Sequence, residues 1–354
     1  MRRVLITGSS GLIGSEAVAF FDERGWEVHG IDNNMRRDFF GPDGDTTWNL
    51  QRLIAVTRRF THDAFDIRDQ ARVFETVRTI QPDCMIHCAA QPSHDLAKDR
   101  PFDDFSINAN GTLNLLEAAR RYAPESPFIF MSTNKVYGDA PNDLPLVELE
   151  TRYDYASPEH AEGIDERCRI DHCLHSLFGA SKLAADVMVQ EYGRYFNMPT
   201  VCFRAGCLTG PGHSGAELHG FLAYLAKAIG TGRAYRIYGY KGKQVRDNIH
   251  AHDVCTAFLE FFEHPRSGAV YNLGGGRENS VSVMEAIAAF EGALGRRLKT
   301  EYVEQARRGD HICYISDLRR FKHDYPEWTV TRSLDEIIAE LAGQVSSDAG
   351  VWTV

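Results

Sequence analysis

Short apolar runs alternate with longer amphipathic stretches along the first two thirds of the chain. The runs with strand-like length and composition cover residues 4–7, 27–31, 59–66, 84–88, 128–131 and 200–204. Between them, the apolar positions of residues 15–24, 69–80 and 101–122 have the spacing of one helical face. Strands that alternate with helices in this order predict a parallel, doubly wound α/β sheet.

The first strand ends in a glycine-rich turn, TGSSGLIG, which opens the first helix. Glycine recurs there as Gly8, Gly11 and Gly14, with Leu12 and Ile13 between the last two. Bare backbone N–H groups and the positive end of a helix bind a pyrophosphate at such a turn. The strand before it and the helix after it supply the context that this motif needs, so we predict a Rossmann-type dinucleotide site.

The second strand ends at Asp32, eighteen residues beyond Gly14. A carboxylate at this position accepts hydrogen bonds from the ribose hydroxyls of the adenosine half and repels a 2′-phosphate, so NAD is favoured over NADP. Arg36 and Arg37 follow closely and keep NADP as the alternative.

Small and polar residues at the carboxyl ends of the following strands are further candidates for the cofactor site. Small side chains there let the backbone approach the cofactor, and the third strand ends where an adenine ring would lie. These candidates are Asn33, Asp66, Ile67, Ala89, Ala90 and Gln91, to which we add Asn108 of the helix predicted at 101–122.

The composition and charge exclude some classes of protein. A chain of 354 residues is too long for one small core, which predicts one large domain with a lobe, or two domains. Its net charge of −10 argues against a general nucleic-acid or membrane-surface binder. No apolar run is as long as a membrane span, and the cofactor strand leaves no room for a cleavable signal, so we expect a cytoplasmic protein. The eight cysteines form no C-x-x-C pair, which favours reduced, mostly buried thiols.

Several strings follow one another in the order and approximate spacing of a known family. They are TGSSGLIG, HCAAQ, NANGTLNLLEA, STNKVYGD, FGASK and GKQVRDNIHAHD. Over essentially its whole length, the chain resembles the extended short-chain dehydrogenase/reductase family, the nucleotide-sugar epimerases and dehydratases. The strings ETRY, GIDE and HSLFGASKLAAD, and the 45 residues from Thr133 to position 178, make it most similar to a subgroup that inverts carbon 2 of a CDP-linked 3,6-dideoxyhexose.

This resemblance implies an architecture and a set of ligands. A Rossmann-type NAD domain would comprise residues 1–204 and 245–273, and a smaller substrate-binding lobe residues 205–244 and 274–354. The expected ligands are NAD, which each turnover regenerates, and a nucleotide sugar, with CDP favoured. A homo-oligomer is expected, without a metal, a nucleic acid or a membrane as partner.

The expected chemistry requires three groups. A hydroxyl-bearing carbon with no acidic proton beside it can be inverted if its hydride passes to NAD and returns to the other face. The site then needs a base for the hydroxyl, a hydrogen-bond donor for the oxyanion and a cation that lowers the pKa of the base. In the family these are a Tyr, a Ser or Thr, and a Lys. The resemblance assigns the hydroxyl to Thr133 and the cation to Lys182; the simpler alternatives are a strand-end cap and a solvated lysine.

The expected tyrosine is missing, because the Tyr-x-x-x-Lys pattern of the family reads here as Phe178-Gly179-Ala180-Ser181-Lys182. A phenyl ring cannot ionise. Three explanations stay open: a substitution made to trap a complex, another base, or a protein that binds both ligands without this reaction. Leu177 stands where proline is usual, which favours natural divergence. Replacement bases would be drawn from Lys182, Lys135, His94, His172, His175 and Cys207.

Two residues beside Thr133 distinguish between reactions of the family. Its 4,6-dehydratases carry an Asp-Glu pair there as acid and base, whereas this chain has Asn134-Lys135. Neither is a carboxylic acid, so a 4,6-dehydratase is disfavoured. A 4-epimerase stays open because it needs only a different pose of the sugar, and Asn134 is then a substrate-binding candidate.

The second lobe is expected to bind the nucleotide. The loop 205–219 lies where the family holds sugar and base, with Cys207 and His219 as candidates, and Gln244 precedes an arginine that matches the diphosphate ligand of the family, Arg246. A planar guanidinium can hold two phosphate oxygens. A surface ion pair between Arg246 and Asp247 or Asp253 is the alternative.

Two further segments carry expectations. The string Arg307-Arg308-Gly309-Asp310 resembles the segment that brings a second arginine to the diphosphate, although Ile312 stands where another arginine is common. Residues 139–172 form a charged, proline-bearing connection that we interpret as an ordered lid or subunit-contact loop.

Overall fold

Strands and helices alternate in the computed structural model, which describes residues 1–93, 95–217, 219–307 and 309–347. The strands are β1 (Arg3–Thr7), β2 (Glu27–Ile31), β3 (Phe60–Asp63), β4 (Cys84–His87), β5 (Phe128–Thr133), β6 (Leu146–Glu148), β7 (Tyr153–Tyr155), β8 (Thr200–Ala205), β9 (Cys207–Thr209), β10 (Ala234–Tyr238), β11 (Val245–His250), β12 (Ala269–Leu273), β13 (Ser280–Ser282), β14 (Lys299–Val303) and β15 (Cys313–Tyr314). The α-helices are α1 (Leu12–Glu23), α2 (Arg36–Phe40), α3 (Thr47–Val56), α4 (Gln70–Ile80), α5 (Pro101–Phe105), α6 (Gly111–Tyr122), α7 (Ser176–Phe196), α8 (Phe221–Thr231), α9 (Ala251–Glu263), α10 (Val283–Leu294), α11 (Arg319–Asp324) and α12 (Leu334–Ser347).

A seven-stranded sheet organises the first of two compact units, which comprises Met1–Val136, Ser176–Arg204 and Ala251–Tyr271. Its strand order is β12-β8-β5-β4-β1-β2-β3, and β1 pairs in parallel with both β2 and β4. The direction of winding therefore reverses between β1 and β4, where open α/β sheets bind their ligands at the carboxyl ends of the strands. The predicted Rossmann-type fold is confirmed.

Apolar residues of the strands and of the flanking helices form the core of this unit. Val4, Leu5 and Ile6 of β1 are at most 1% exposed, and α4, α6 and α7 bury one face each against the sheet. Strands buried on both faces read as continuous apolar runs, which is why the pattern predicted them.

Several predicted bounds need correction. Strand β5 extends two residues beyond the predicted end and includes Ser132 and Thr133. The helix predicted at 101–122 is interrupted by a π-helical turn at Ser106–Asn110. The stretch between Asp32 and the third strand contains α2 and α3, and the loop at 205–219 contains β9; the sequence pattern predicted none of these three elements.

The second compact unit comprises Tyr137–His175, Ala205–His250 and Asn272–Val354. Strand β11 pairs with β13, β15 and β9 in one small sheet, while β10 pairs with β14 in another. Its core lies between α8, α10 and α12. The predicted division placed residues 137–175, 245–250 and 272–273 in the NAD domain, whereas the structure places them in the second unit.

The connection at 139–172 is ordered. Tyr155 donates a hydrogen bond to the carbonyl of Cys313 at 3.2 Å, and Arg277 pairs with both carboxylate oxygens of Asp154 at 2.9 and 3.1 Å. Its function as a lid or as a subunit contact stays a prediction.

Two further expectations concern helices and thiols. Among the described residues, no helix is both long enough and apolar enough to cross a membrane. All eight cysteines are free thiols, but only Cys84, Cys202, Cys255 and Cys313 are buried, so "mostly buried" overstated their burial.

Candidate active site

The glycine-rich turn is held by backbone contacts. Gly8, at φ +72°, donates its N–H to the Ile31 carbonyl at 2.8 Å, and Gly11 donates to the Gly8 carbonyl at 3.0 Å. A Cβ on Gly8 would lie 2.7 Å from the Ala89 nitrogen, and one on Gly14 would collide with the Gly8 carbonyl. These two glycines are therefore required by the packing of the turn.

The third glycine of the motif has a different environment. A Cβ on Gly11 would meet a single atom within 4 Å, the Gly8 carbonyl oxygen at 3.3 Å. The hydroxyl oxygen of Ser10 is buried without a hydrogen-bond partner among the described residues. The small number of atoms around Gly11 and the unsatisfied hydroxyl next to it fit a pyrophosphate at the N-terminus of α1. Leu12 and buried Ile13 form the first turn of that helix.

Asp32 lies directly after β2 and orders the turn. Its Oδ2 accepts the Ser10 N–H at 3.0 Å and its Oδ1 accepts the Asn34 N–H at 2.7 Å. A carboxylate has about four acceptor positions, so two remain for ribose hydroxyls. Arg37 is paired with Asp45 at 3.0 Å, and the Arg36 guanidinium lies 4.6 Å from the centroid of the Phe40 ring.

The predicted adenine-side residues lie after β2, in the case of Asn33, and after β3, in the case of Asp66 and Ile67. Asn33 donates to Asp66 at 3.3 Å, and Arg68 donates to the same carboxylate at 2.7 Å. Burial raises the pKa of Asp66, but the hydrogen bonds from Arg68 outweigh it and leave the pKa below its ordinary value. Ile67 packs against Gly111, where a Cβ would lie 2.6 Å from the isoleucine Cδ1.

A directed chain of hydrogen bonds supports the segment after β4. The Thr112 hydroxyl donates to the Asn108 carbonyl at 2.6 Å and so accepts from His87 Nε2 at 2.9 Å. His87 Nδ1 then accepts from Thr7 at 2.7 Å, and the Ala89 N–H donates to the Thr7 oxygen at 3.3 Å. Burial lowers the pKa of His87 well below its ordinary value, so the ring stays neutral.

Asn108 and Gln91 are buried together. Asn108 Oδ1 accepts the Gln91 N–H at 2.9 Å, and its Nδ2 donates to the Ser181 hydroxyl at 3.0 Å. The Gln91 amide donates to Asp104 and its carbonyl accepts the Ser93 N–H, so this side chain is used within the protein. The π-helical turn places Asn108 where it joins the β4 end to α7.

Thr133 is the last residue of β5. Its hydroxyl oxygen accepts the Lys135 N–H at 3.2 Å and lies 3.4 Å from Asn134 Oδ1, a long contact for an O–H donor. Thr133 is partly exposed and Asn134 is buried. The hydroxyl can therefore turn its proton toward a ligand at little cost.

Lys182 is 4% exposed on α7. Its ammonium donates to the Met131 carbonyl at 2.7 Å and lies 4.0 Å from the centroid of the Phe130 ring. Burial lowers the pKa of Lys182 to about 8, against the opposing effects of Cys88 and Asp186. A solvated lysine is therefore wrong for this position, and the catalytic role stays a prediction.

Phe178 lies one helical turn before Lys182 and is 7% exposed. It occupies the position of the expected tyrosine on the buried side of α7. The first unit thus brings Thr133 and Lys182 to the end of β5, with Phe178 on the same helix as the lysine.

Among the other replacement bases, Lys135 lies in the first unit, whereas His172, His175 and Cys207 lie in the second. His94 lies outside the described residues, as does Arg308. The described residues contain no group of three or more metal-ligating side chains.

Arg246, in β11 of the second unit, forms a different ion pair from either predicted alternative. It donates to Asp310 at 2.5 Å, and its side chain is 12% exposed. Burial opposes the charged form, but Asp310 outweighs it and raises the pKa of Arg246. The predicted pairs with Asp247 or Asp253 are therefore wrong, and the partner is Asp310, the last residue of the string Arg307-Arg308-Gly309-Asp310.

The remaining substrate candidates lie in the same unit. Gln244 is buried and its Oε1 has no partner among the described residues, while its Nε2 donates to the Tyr238 carbonyl at 3.3 Å. Cys207 pairs in register with Asn248. His219 lies 3.4 Å from a ring nitrogen of His213. Arg307, the last candidate, precedes the undescribed residue 308.

Two supports of the site were not predicted from the sequence. Asn49 of α3 is fully buried and donates to the Ser10 carbonyl at 3.0 Å, which holds the glycine turn. Asp186 and Arg204 form a buried ion pair at 2.8 Å beside β5. Charged residues inside the apolar strings LAADVMV and VCFRA were the available signal, because buried charges are paired.

Comparison with known proteins identifies the class. Residues 4–274 match the model of the NAD dependent epimerase/dehydratase family, and the chain belongs to this family. Its cofactor is NAD, as predicted.

Individual relatives of this chain act on nucleotide sugars, according to their names. The chain is 31% identical to CDP-paratose 2-epimerase of Salmonella typhi, over 98% of this chain and 99% of the relative. It is 27% identical to a dTDP-glucose 4,6-dehydratase of Escherichia coli, over 98% and 88%. The structure of Thermus thermophilus UDP-glucose 4-epimerase in complex with NAD superposes with a TM-score of 0.79 at 25% identity, covering 97% of this chain and 99% of that one. The predicted resemblance to nucleotide-sugar epimerases, and to CDP-paratose 2-epimerase among them, is confirmed.

Proposed function

We propose that the chain is an NAD-dependent nucleotide-sugar epimerase that inverts carbon 2 of a CDP-linked deoxyhexose. The observation that carries this proposal is that the Lys182 ammonium binds the Met131 carbonyl of β5, two residues before Thr133 at the end of that strand, with Asn134-Lys135 directly after it. Similarity to CDP-paratose 2-epimerase over nearly the full length supports the choice of sugar nucleotide and carbon.

The first unit would hold the cofactor. The turn at Gly11 and the Ser10 hydroxyl would bind the pyrophosphate, and Asp32 the adenosine ribose. Bound NAD supplies a hydride acceptor that later acts as the donor. Neither Arg36 nor Arg37 needs a phosphate as partner, since each already interacts within the protein, which supports NAD over NADP.

Thr133 and Lys182 would then assist the removal of the proton from the sugar hydroxyl. The Thr133 hydroxyl would donate a hydrogen bond to the sugar oxygen as negative charge develops there. Lys182, with its pKa lowered to about 8, would favour loss of the proton through its charge and, when neutral, could itself accept one. Phe178 would exclude water from this side without taking part in proton transfer.

The residues beside Thr133 support epimerisation over elimination. A 4,6-dehydratase would use a carboxylic acid and a carboxylate at this place, and Asn134-Lys135 supplies neither. A 4-epimerase needs no such pair, so only the product distinguishes it from a 2-epimerase.

The proposed activity is tested by incubating the protein with CDP-paratose and following the sugar by NMR. Inversion at carbon 2 without accumulation of NADH is the expected result. Inversion at carbon 4 would replace the proposal with a 4-epimerase, and accumulation of NADH would identify a one-way dehydrogenase.

A second candidate function is a catalytically silent protein that binds NAD and a sugar nucleotide. Buried Phe178, in place of an ionisable phenol, favours it. Turnover of any CDP-, UDP- or dTDP-sugar at a rate that depends on Thr133 would exclude it.

NAD is expected to be held tightly and not consumed. Denaturing the purified protein should release NAD(H) in near-stoichiometric amount, measured by enzymatic assay of the supernatant. A supernatant that contains only NADP(H), or neither cofactor, would contradict the proposed cofactor site.

We also propose that Arg246 binds the diphosphate of the substrate. Asp310 and the Val245 carbonyl hold the guanidinium in place but use only part of its five N–H donors, so donors remain for phosphate oxygens. Gln244 Oε1, two residues away, is buried and has no hydrogen-bond partner within the part of the chain that the structure describes, which supports a polar ligand near this arginine.

Replacing Arg246 with alanine should weaken CDP binding more than tenfold, by calorimetry, because a buried fork of donors is lost. Arg236→Ala is the matched control, since this arginine of β10 is half exposed and pairs with Glu217 and Glu301. Retention of NAD should be unchanged in both variants. Equal CDP affinity in Arg246→Ala and the unaltered protein would show that Arg246 serves only its ion pair.

The homo-oligomer and the cytoplasmic location stay predictions.

A further inference from the structure

Asp186, one helical turn beyond Lys182 on α7, has a fully buried carboxylate. Asp186 is 0% exposed, and its two oxygens accept four hydrogen bonds. Arg204 donates to both, at 2.8 and 3.1 Å, Gln190 donates at 2.7 Å, and the Ser132 hydroxyl donates at 2.5 Å. Arg204 is itself only 4% exposed, so this ion pair is buried on both sides.

The cluster connects two elements of the candidate site. Ser132 directly precedes Thr133 on β5, while Asp186 follows Lys182 on α7. The carbonyl of Met131 accepts a hydrogen bond from the Lys182 ammonium, so consecutive residues of β5 contact α7 at Lys182 and again at Asp186. Two contacts one turn apart fix both the distance and the rotation of the helix relative to the strand end.

Asp186 also acts on Lys182 through its charge. Burial lowers the pKa of Lys182, and the nearby carboxylate raises it again. Titratable and charged groups surround the Lys182 ammonium and the Asp186 carboxylate. They are His87 at the end of β4 and Cys88 directly after it, Asp104 of α5, Asp186 itself on α7, and Cys202 and Arg204 of β8.

We propose that Asp186, held by Arg204, is a positioning residue of the site: it fixes Thr133 through Ser132 and places a buried negative charge one helical turn from the Lys182 ammonium. The catalytic part of this inference rests on the proposed function. The effect of the Asp186 charge on the pKa of Lys182 does not, and it can be measured without a substrate.

The experiment follows the pKa of Lys182 by NMR in NAD-loaded protein labelled with ¹³C at the lysine Cε, with Lys182→Arg for assignment. Asp186→Asn leaves the Arg204 charge uncompensated, so the pKa of Lys182 should fall below that of the unaltered protein. General loosening of the fold would admit water and raise it, which makes the direction diagnostic. Asp186→Asn combined with Arg204→Gln removes both charges and should return the pKa toward that of the unaltered protein.

An unchanged or raised pKa in folded Asp186→Asn would overturn the proposal. Should that variant fail to fold, Ser132→Ala and Ser132→Thr decide together. Ser132→Ala removes one donor to Asp186, so the pKa of Lys182 should rise, whereas Ser132→Thr disturbs the packing but keeps the hydroxyl and should leave the pKa unchanged. Equal pKa values of Lys182 in the two variants overturn the proposal. In an active protein, Ser132→Ala should lower kcat by about tenfold with KM and NAD retention unchanged. If the unaltered protein shows no epimerase activity, the NMR measurement of the pKa of Lys182 is still valid. Failure of the proposed function and failure of the proposed role of Asp186 are therefore distinguishable.

Discussion

Replacing Phe178 with tyrosine is expected to raise the rate of epimerisation of CDP-paratose or a related CDP-sugar at least about tenfold. A positioned general base contributes typically about 10²–10⁴-fold, and the phenyl ring cannot supply one. Lys182 lies one turn further along α7, where its charge would lower the pKa of the new phenol. Because the ring is kept, binding of NAD and substrate should change little.

Two variants control this measurement. Phe178→Leu changes the packing at the same position without adding an ionisable group and should not be faster than the unaltered protein. Phe178→Tyr combined with Lys182→Met places the phenol without its cation and should lose most of the gain. Initial rates by NMR at several pH values, with retained NAD measured in parallel, separate chemistry from binding.

The rates also distinguish the alternatives for the missing tyrosine. If the unaltered protein turns over briskly and the tyrosine variant is no faster, another group is the base. Lys182, Lys135 and the candidate histidines would be substituted next. If neither form acts on any CDP-, UDP- or dTDP-sugar while both retain NAD, a binding protein becomes the better assignment.

The sequence predicted the cofactor half of the fold well because its signals are local. The bounds of β2 agree with the prediction, and those of β4 and α4 differ by one residue. A glycine turn between a buried strand and a helix has few alternative structures, since Gly8 and Gly14 have no room for a side chain. Local geometry and composition therefore agree at these elements.

Elements without a buried face escaped prediction. Helix α2 has no buried residue, and α3 buries only Asn49 and Leu53, so neither shows an apolar stripe. The π-helical turn at Ser106–Asn110 adds one residue to a helical turn while its neighbours keep their helical pattern. Its signal is the buried side chain of Asn108, which only the fold reveals.

The polar contacts of the site are largely non-local. Arg246 and its partner Asp310 are 64 residues apart in the sequence, and Ser132 and its hydrogen-bond partner Asp186 are 54 residues apart. Charge alone suggested adjacent Asp247 as the partner of Arg246, but neighbouring residues of a strand point to opposite faces. Asp247 is fully buried instead, where it accepts the N–H of Ser316 at 3.1 Å.

Replacing Asp32 with alanine is expected to weaken NAD binding by about 2–4 kcal/mol, roughly thirtyfold to a thousandfold in Kd. The loss corresponds to two charge-assisted hydrogen bonds to the ribose. Calorimetric titration of NAD into protein freed of its cofactor measures it. NADP should gain relative to NAD, because the repulsion of its 2′-phosphate by the Asp32 carboxylate is removed.

The same substitution also removes the acceptors of the Ser10 and Asn34 N–H groups, so its effect on the turn must be separated from its effect on the ribose. Asp32→Asn keeps the volume and one acceptor oxygen and should give an intermediate affinity. Asp63→Ala, at the exposed end of the next strand, is the matched control and should bind NAD normally. If Asp32→Ala binds NAD within twofold of Asp63→Ala, Asp32 serves only to order the turn, and the preference for NAD over NADP must come from the pairing of Arg37 with Asp45.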